Sequence, residues 1–306
     1  MLSRGKAFEI LIKRMLMNVG FSEVYSDGVY IFDGTAGQMI QGLGEAHNAD
    51  VLLQPPVQIP FYIPTRILVE CKDYIHPVGL NTIRSALGLR EDINHFEVVD
   101  VNVLKNRKST RRPKNSVYEY TRYFYQVAVA SMSGFTKQAQ EFAATHRISL
   151  ISLSNMPFWA SFNESFNSVK WTNDYGEIEN LADEIGKRMA VAITNNGQML
   201  FLYNERKEDS VDFGDFYEIY WQDTQSLWRL ESGNHRYVFE LPSKIREIWL
   251  QQSSINELRM NALYCKAEFL SNMIVYYFGD YKPAIKMISI DKRWFNEALD
   301  RITGNK

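Results

Sequence analysis

Cysteine is nearly absent. Only Cys71 and Cys265 occur in 306 residues, far apart in sequence, which excludes a disulfide framework and a spaced-cysteine zinc cluster. Reduced thiols and a cytoplasmic setting are the expectation. Long apolar runs are missing as well, so no membrane span is expected. Lys13 and Arg14 interrupt the apolar N-terminal segment and spoil it as a signal peptide. Repeats and low-complexity tracts do not occur. A strong charge of one sign is also lacking. Lys and Arg number 34 against 36 Asp and Glu, a net of −2, so total charge does not by itself point to a polyanionic partner.

What is present is an ordinary globular composition, 45% hydrophobic and 23% charged, in a chain long enough for two domains. Residues 1–151 carry 17 Lys and Arg against 14 Asp and Glu, and the remainder carries 17 against 22. That asymmetry supports a division into residues 1–155 and 156–306.

Arg66-Ile67-Leu68-Val69-Glu70-Cys71-Lys72-Asp73-Tyr74 reads as a strand in which Ile67, Val69 and Cys71 face one side while Leu68, Glu70 and Lys72 face the other. Glu70 and Lys72 thus share a face, about 6.7 Å apart along the backbone. A second strand opens at Asp50, with Val51 and Leu53 on one side and Asp50, Leu52 and Gln54 on the other, and stops at Pro55-Pro56. Two acids on neighbouring strands supply the oxygen ligands that a hard cation such as Mg²⁺ prefers, and a lysine beside them can offset charge on a reacting phosphate. Taken alone, Glu-x-Lys is more simply a salt bridge at a strand end. Upstream, residues 5–18 have helical spacing in Phe8, Leu11, Ile12, Met15 and Leu16, with Glu9 beside the apolar stripe and Gly20 as terminator.

The order of these pieces resembles the PD-(D/E)xK nucleases, specifically their Mrr-like restriction endonuclease branch. The resemblance runs on through Pro77-Val78-Gly79-Leu80 and a helix carrying Ile83, Ala86, Leu87 and Ile93. It returns at Ser133-Gly134-Phe135-Thr136-Lys137-Gln138-Ala139, between the strand Gln126–Ala130 and Ile148-Ser149-Leu150-Ile151. It covers about half the chain. Ala49 stands where the family's motif has proline, and Glu70 where many members carry Gln. The resemblance implies that Asp50 and Glu70 hold Mg²⁺, with Mn²⁺ an alternative, that Glu9 helps through the metal's water, and that Lys72 assists the attacking water. His47 and Asn48 resemble a His-Gln pair of some relatives, which implies that they orient a ligand or touch phosphate. A loop histidine bonded to backbone is the competing reading of His47. Thr136 is expected to cap a helix in a strand–helix–strand crossover between parallel strands.

Lys105, Arg107, Lys108, Arg111, Arg112 and Lys114 crowd one ten-residue stretch between valine-rich and tyrosine-rich segments. Such a run is usually a solvated loop; beside a nuclease site it is expected to contact phosphates. Residues 152–168 read as a linker or peripheral hairpin. Beyond them come a helix at 177–192, strands at 198–204, 214–222, 225–231 and 235–241, and helices at 243–252, 254–278 and 291–302. Trp221, Trp228, Trp249 and Trp294 are expected in the core.

The expected fold is therefore α/β, a restriction-endonuclease-like mixed sheet flanked by helices, with a second α+β domain. The expected function is a Mg²⁺-dependent DNA endonuclease of restriction-type defence. Two rivals stand beside it: a non-catalytic nucleic-acid-binding or assembly subunit whose second half meets a protein partner, and a nuclease acting on RNA or branched DNA. Homo-oligomerisation stays open.

Overall fold

Ser3 opens the first helix, α1 (Arg4–Asn18), its hydroxyl accepting from the Lys6 N–H at 3.2 Å. Ala7, Phe8, Leu11, Ile12, Met15 and Leu16 recur at helical spacing and are buried. Gly20 ends the run with φ at +101°, a conformation that suits glycine. The computed structural model describes residues 3–28, 30–35, 37–96, 122–154, 156–168, 176–206, 218–221, 227–232, 235–240, 247, 254–279, 282–289 and 291–304. The basic stretch with Lys105, Arg107, Lys108, Arg111, Arg112 and Lys114 lies outside the described residues.

After α1 come β1 (Ser22–Glu23), a three-stranded antiparallel unit of β2 (Ile31–Gly34), β3 (Gly37–Gln41) and β4 (Ala46–Asn48), and then β5 (Val51–Gln54) and β6 (Thr65–Lys72). With β7 (Phe124–Ser131) and β8 (Ser149–Ser152) they form a five-stranded sheet ordered β1-β5-β6-β7-β8. Its β5–β6 pair is antiparallel, and the β6–β7 and β7–β8 pairs are parallel. The fold is thus α/β, a mixed sheet flanked by helices, followed by a second α+β part. The strand alternation falls as the sequence predicts. Ile67, Val69 and Cys71 pack with α1 on one face, while Leu68 joins α2 (Leu80–His95) and α3 (Lys137–His146) on the other. Thr136 caps α3 by accepting from the Ala139 N–H at 3.3 Å. Two sequence pieces more than fifty residues apart meet here: the Val78 N–H donates to the Gly134 carbonyl at 2.9 Å, and the Thr136 N–H to the Val78 carbonyl at 3.0 Å.

The second part contains α4 (Trp159–Ser168), α5 (Gly176–Gly186), β9 (Met189–Ile193), β10 (Met199–Asn204), β11 (Glu218–Trp221), β12 (Leu227–Ser232), β13 (His235–Glu240), α6 (Ile255–Phe269), β14 (Met273–Gly279), β15 (Lys282–Ile288) and α7 (Lys292–Thr303). Its strands make an antiparallel sheet ordered β11-β12-β13-β10-β9-β14-β15. Topology changes near residue 155, but burial does not. One apolar cluster runs from Phe8, Val51 and Val69 through Phe162 and Ile178 to Val191 and Phe201. At its rim, Asp183 receives the Arg14 guanidinium at 2.7 and 3.0 Å and Asn18 Nδ2 at 2.8 Å. Gly186 lets α5 approach this point, because a Cβ there would stand 2.6 Å from that of Asn18.

Several expectations for the second part need correction. Residues 159–168 are a helix, not a linker, because Phe158, Phe162 and Phe166 recur four apart and drop into the shared core. The helix expected at 177–192 stops at Gly186, and the apolar run 189–193 is a buried strand. The helix expected at 254–278 stops at Phe269; Asn272, with φ at +56°, turns the chain into β14. Short apolar runs fit either structure until neighbours decide. Trp294 is 51% exposed, not core, while Trp249 and the side chains of Trp221 and Trp228 lie outside the described residues. Among the described residues no helix is long and apolar enough to cross a membrane.

Candidate metal and phosphate site

The β5–β6 register sets Val51 against Val69 and Leu52 against Leu68. Continued one step past the start of β5, it places Asp50 opposite Glu70, on the face that carries Leu52 and Leu68. Asp50 is fixed from two sides: its Oδ2 accepts from the Cys71 N–H at 2.9 Å and its Oδ1 from Asn48 Nδ2 at 3.3 Å. Further along β6, Lys72 Nζ donates to Glu70 Oε2 at 2.9 Å. Lys72 itself is paired with Ser131 on β7. Asp50, Glu70 and Lys72 therefore sit side by side at one end of the sheet.

Glu9 reaches this end from α1. Its carboxyl is raised above the ordinary value, first by burial; a hydrogen bond from Lys6 Nζ, at 2.6 Å, opposes this, while the charges of Asp50 and Glu70 push the same way as burial. Burial works to lower the Lys72 ammonium, yet the charge and hydrogen bond of Glu70, with Asp50 behind them, carry it above the usual lysine value. Lys72 is thus a fixed cation here. Burial drives the Cys71 thiol well up, and the surrounding carboxylates add to the effect. Cys71 consequently stays a thiol and serves packing.

A cleft of about 570 Å³ opens between α1 and the β2–β4 unit, lined by Lys6, Glu9, Lys13, Tyr25 and Asp50 among others. Of the site residues, Lys6, Glu9 and Asp50 line this cleft, while Glu70 and Lys72 lie outside its lining and are bonded to each other. Among the described residues, no group of three or more His, Cys, Asp or Glu side chains is placed so that it could hold a metal ion. A cation would rest on Asp50 and Glu70 and complete its shell with water and substrate oxygens, as Mg²⁺ commonly does.

The remaining sequence candidates separate. Asn48 touches Asp50. His47 does not: its Nε2 lies 2.6 Å from Asp92 Oδ2 on α2, and Asp92 also accepts from the Gly44 N–H at 2.8 Å. The hydrogen bond with His47 is the main reason that the Asp92 carboxyl lies below its usual value. His47 therefore fastens β4 to α2, and the Gly44 N–H fastens the turn before it to the same carboxylate. Sequence reasoning missed Lys6, although its place three residues before Glu9 on one helix face is a legible signal. It also missed Arg4, whose guanidinium pins Asp73, directly after Lys72, at 2.9 Å; nothing in the sequence links that pair.

No family model and no curated protein matches the chain. Among solved structures it is similar to a crystal structure of a protein of unknown function, AF1548, at a TM-score of 0.31 and 17% identity, over 50% of this chain and 60% of that one. The chain spans less than two thirds of that protein's length, and a likeness at this level carries no functional conclusion.

Proposed function

We propose that this chain is a metal-dependent endonuclease that hydrolyses phosphodiester bonds in DNA and serves restriction-type defence. The observation that carries the reading is the juxtaposition of Asp50 with Glu70 across β5–β6, with Lys72 ion-paired beside them. The Mrr-like order of sequence pieces is its second support. Asp50 and Glu70 would hold Mg²⁺ or Mn²⁺, which supplies Lewis acidity toward a phosphoryl oxygen and a more acidic bound water. Lys72 keeps a positive charge at the reacting phosphate and offsets the charge that builds there. Glu9, held close to Asp50 and Glu70 and bonded to Lys6, accepts a hydrogen bond from water entering the cleft. Asn48 orients Asp50. Phosphoryl transfer asks mainly for positioning and charge stabilisation, which these side chains provide without a covalent intermediate.

The test is an incubation of the purified chain with methylated and unmethylated duplex, single-stranded DNA and RNA, in Mg²⁺ and in chelator. Metal-dependent cutting of duplex DNA is expected. Cutting of RNA alone moves the substrate class, and binding without cutting under every condition supports the scaffold rival instead.

A further inference from the structure

Among the described residues the most anomalous surface lies away from the carboxylates, in the connection between β5 and β6. Between Pro55 and Pro64 this connection contains no ionisable residue other than the Tyr62 phenol, and five of its apolar side chains face solvent. Val57 is 41% exposed, Ile59 55%, Phe61 fully, Tyr62 75% and Ile63 53%. Phe61 also takes φ of +70°, a left-handed conformation that a non-glycine residue adopts only when its surroundings impose it.

The exposure is built, not slack. Gln58 clasps the base of the loop, its side-chain amide donating to the Thr65 carbonyl at 2.9 Å and its oxygen accepting from the Thr65 N–H at 2.8 Å. The Pro64 carbonyl accepts from the Phe124 N–H at 2.8 Å. Prolines at 55, 56, 60 and 64 stiffen the segment further. Against its flank opens a cavity of about 500 Å³ whose lining includes Val57, Ile59, Tyr62, Ile67, Phe124 and Tyr276. The exposed Phe61 therefore projects as a knob from between Ile59 and Tyr62, two residues that line an apolar hole.

We propose that this face is the contact between two copies of the chain, related by a two-fold axis, in which the Phe61 of each copy enters the other's cavity. A two-fold contact places the same patch on both sides and must be self-complementary, and this patch carries both halves of the fit. Its size agrees. Scaled by ordinary side-chain areas, the exposed parts of Val57, Ile59, Phe61, Tyr62, Ile63 and Phe124 come to roughly 700 Å². That is above the largest apolar patch of most monomers and close to the ~800 Å² that each partner gives to a stable interface. Lacking charge, the loop is better matched by another apolar surface than by a charged one. The contact lies at the end of β5 and β6 opposite Asp50 and Lys72, so the carboxylate end stays open in each copy. Nothing in it depends on the chemistry at that end.

Sedimentation of the full chain from roughly 0.1 to 100 µM, a range that brackets micromolar association, tests the contact. The expected result is a dimer in the wild type and a monomer for Phe61→Asp that still unfolds cooperatively, with a midpoint that no longer rises with protein concentration as that of the wild type does. Ile75→Asp, at a 92% exposed apolar position elsewhere, is expected to stay dimeric. Should Phe61→Asp fail to fold, Phe61→Gly removes the knob while suiting the left-handed backbone, and it too must be monomeric. A wild type that is monomeric throughout, an open series of higher oligomers, or a Phe61→Gly chain that dimerises as well as wild type overturns the proposal.

Discussion

Asp50 Oδ2 accepts from the backbone N–H of Cys71 at 2.9 Å, so the first candidate ligand also stitches the start of β5 to the end of β6. The carboxylate has a structural part and a chemical part, and substitution separates them. Asp50→Asn keeps an acceptor for Cys71, so its stability is expected within about 1 kcal/mol of wild type, whereas Asp50→Ala leaves that N–H unpaired and costs about 1–3 kcal/mol. Urea unfolding in chelator measures both. Equal stabilities for the two variants would show that the bond contributes nothing.

Glu9 carries a pH signature. Its folded carboxyl lies above the ordinary 4.5 because of burial and of the charges of Asp50 and Glu70, against the pull of Lys6. A carboxyl raised on folding costs nothing while protonated in both states, and the cost grows as pH climbs from 4.5 through the folded value. Glu9→Gln is thus expected to raise the unfolding midpoint at pH 7 and to leave it unchanged below about pH 4. Added Mg²⁺ should stabilise the wild type more than the variant. A midpoint lowered at pH 7 would contradict the crowding of acids at this site.

The joint between the two parts has the opposite sign. Asp183 is lowered below 3.8, chiefly by its hydrogen bond with Arg14 and with help from Asn18 against some burial. Its contribution is complete above 3.8 and is lost as pH falls through the lower folded value. Both side chains are about a third exposed, so solvent screening limits Asp183→Asn to roughly 1 kcal/mol at neutral pH, vanishing in acid. Denaturant midpoints of wild type and variant at pH 7 and pH 3 should therefore converge at the lower pH.

The basic stretch carries a prediction from the sequence. Replacing Lys105, Arg107, Lys108, Arg111, Arg112 and Lys114 with Gln is expected to weaken duplex binding and flatten its salt dependence, by about 0.9 in the logarithmic slope for each phosphate that is no longer neutralised. Titrations at several salt concentrations read the slope directly. An unchanged slope would retire these residues as phosphate ligands.

How far the sequence carried depended on whether a local pattern could decide the matter. Period-two alternation was enough to put Asp50, Glu70 and Lys72 on one face, since a strand has only two sides and Val51, Leu53, Ile67 and Val69 filled the other. The ends of α5 and α6 were not legible, because Met189–Ile193 and Met273–Gly279 are apolar runs that become strands only by pairing with each other and with β10. The partner of His47 was not legible for a related reason: its proximity to Asp50 in sequence is local, while Asp92 lies 45 residues away. Trp294 sits on a strongly amphipathic helix, yet it is the intermediate positions Phe295, Ala298, Leu299 and Ile302 that turn inward. The exposed loop at 57–63 offered only Pro60 and apolar or aromatic residues around Gln58, and whether such a segment is buried is settled by what stands beside it.

The central claim is that Asp50, Glu70 and Lys72 form one hydrolytic site, and conversion of supercoiled plasmid in Mg²⁺ by wild type, Asp50→Asn and Lys72→Ala tests it most directly. Wild type is expected to nick or linearise the plasmid and to stop in chelator. Lys72→Ala should be slower by about 10²–10³, the usual cost of removing one charge-stabilising group, and Asp50→Asn inactive. If both variants are folded and cut at the wild-type rate, the assignment is wrong.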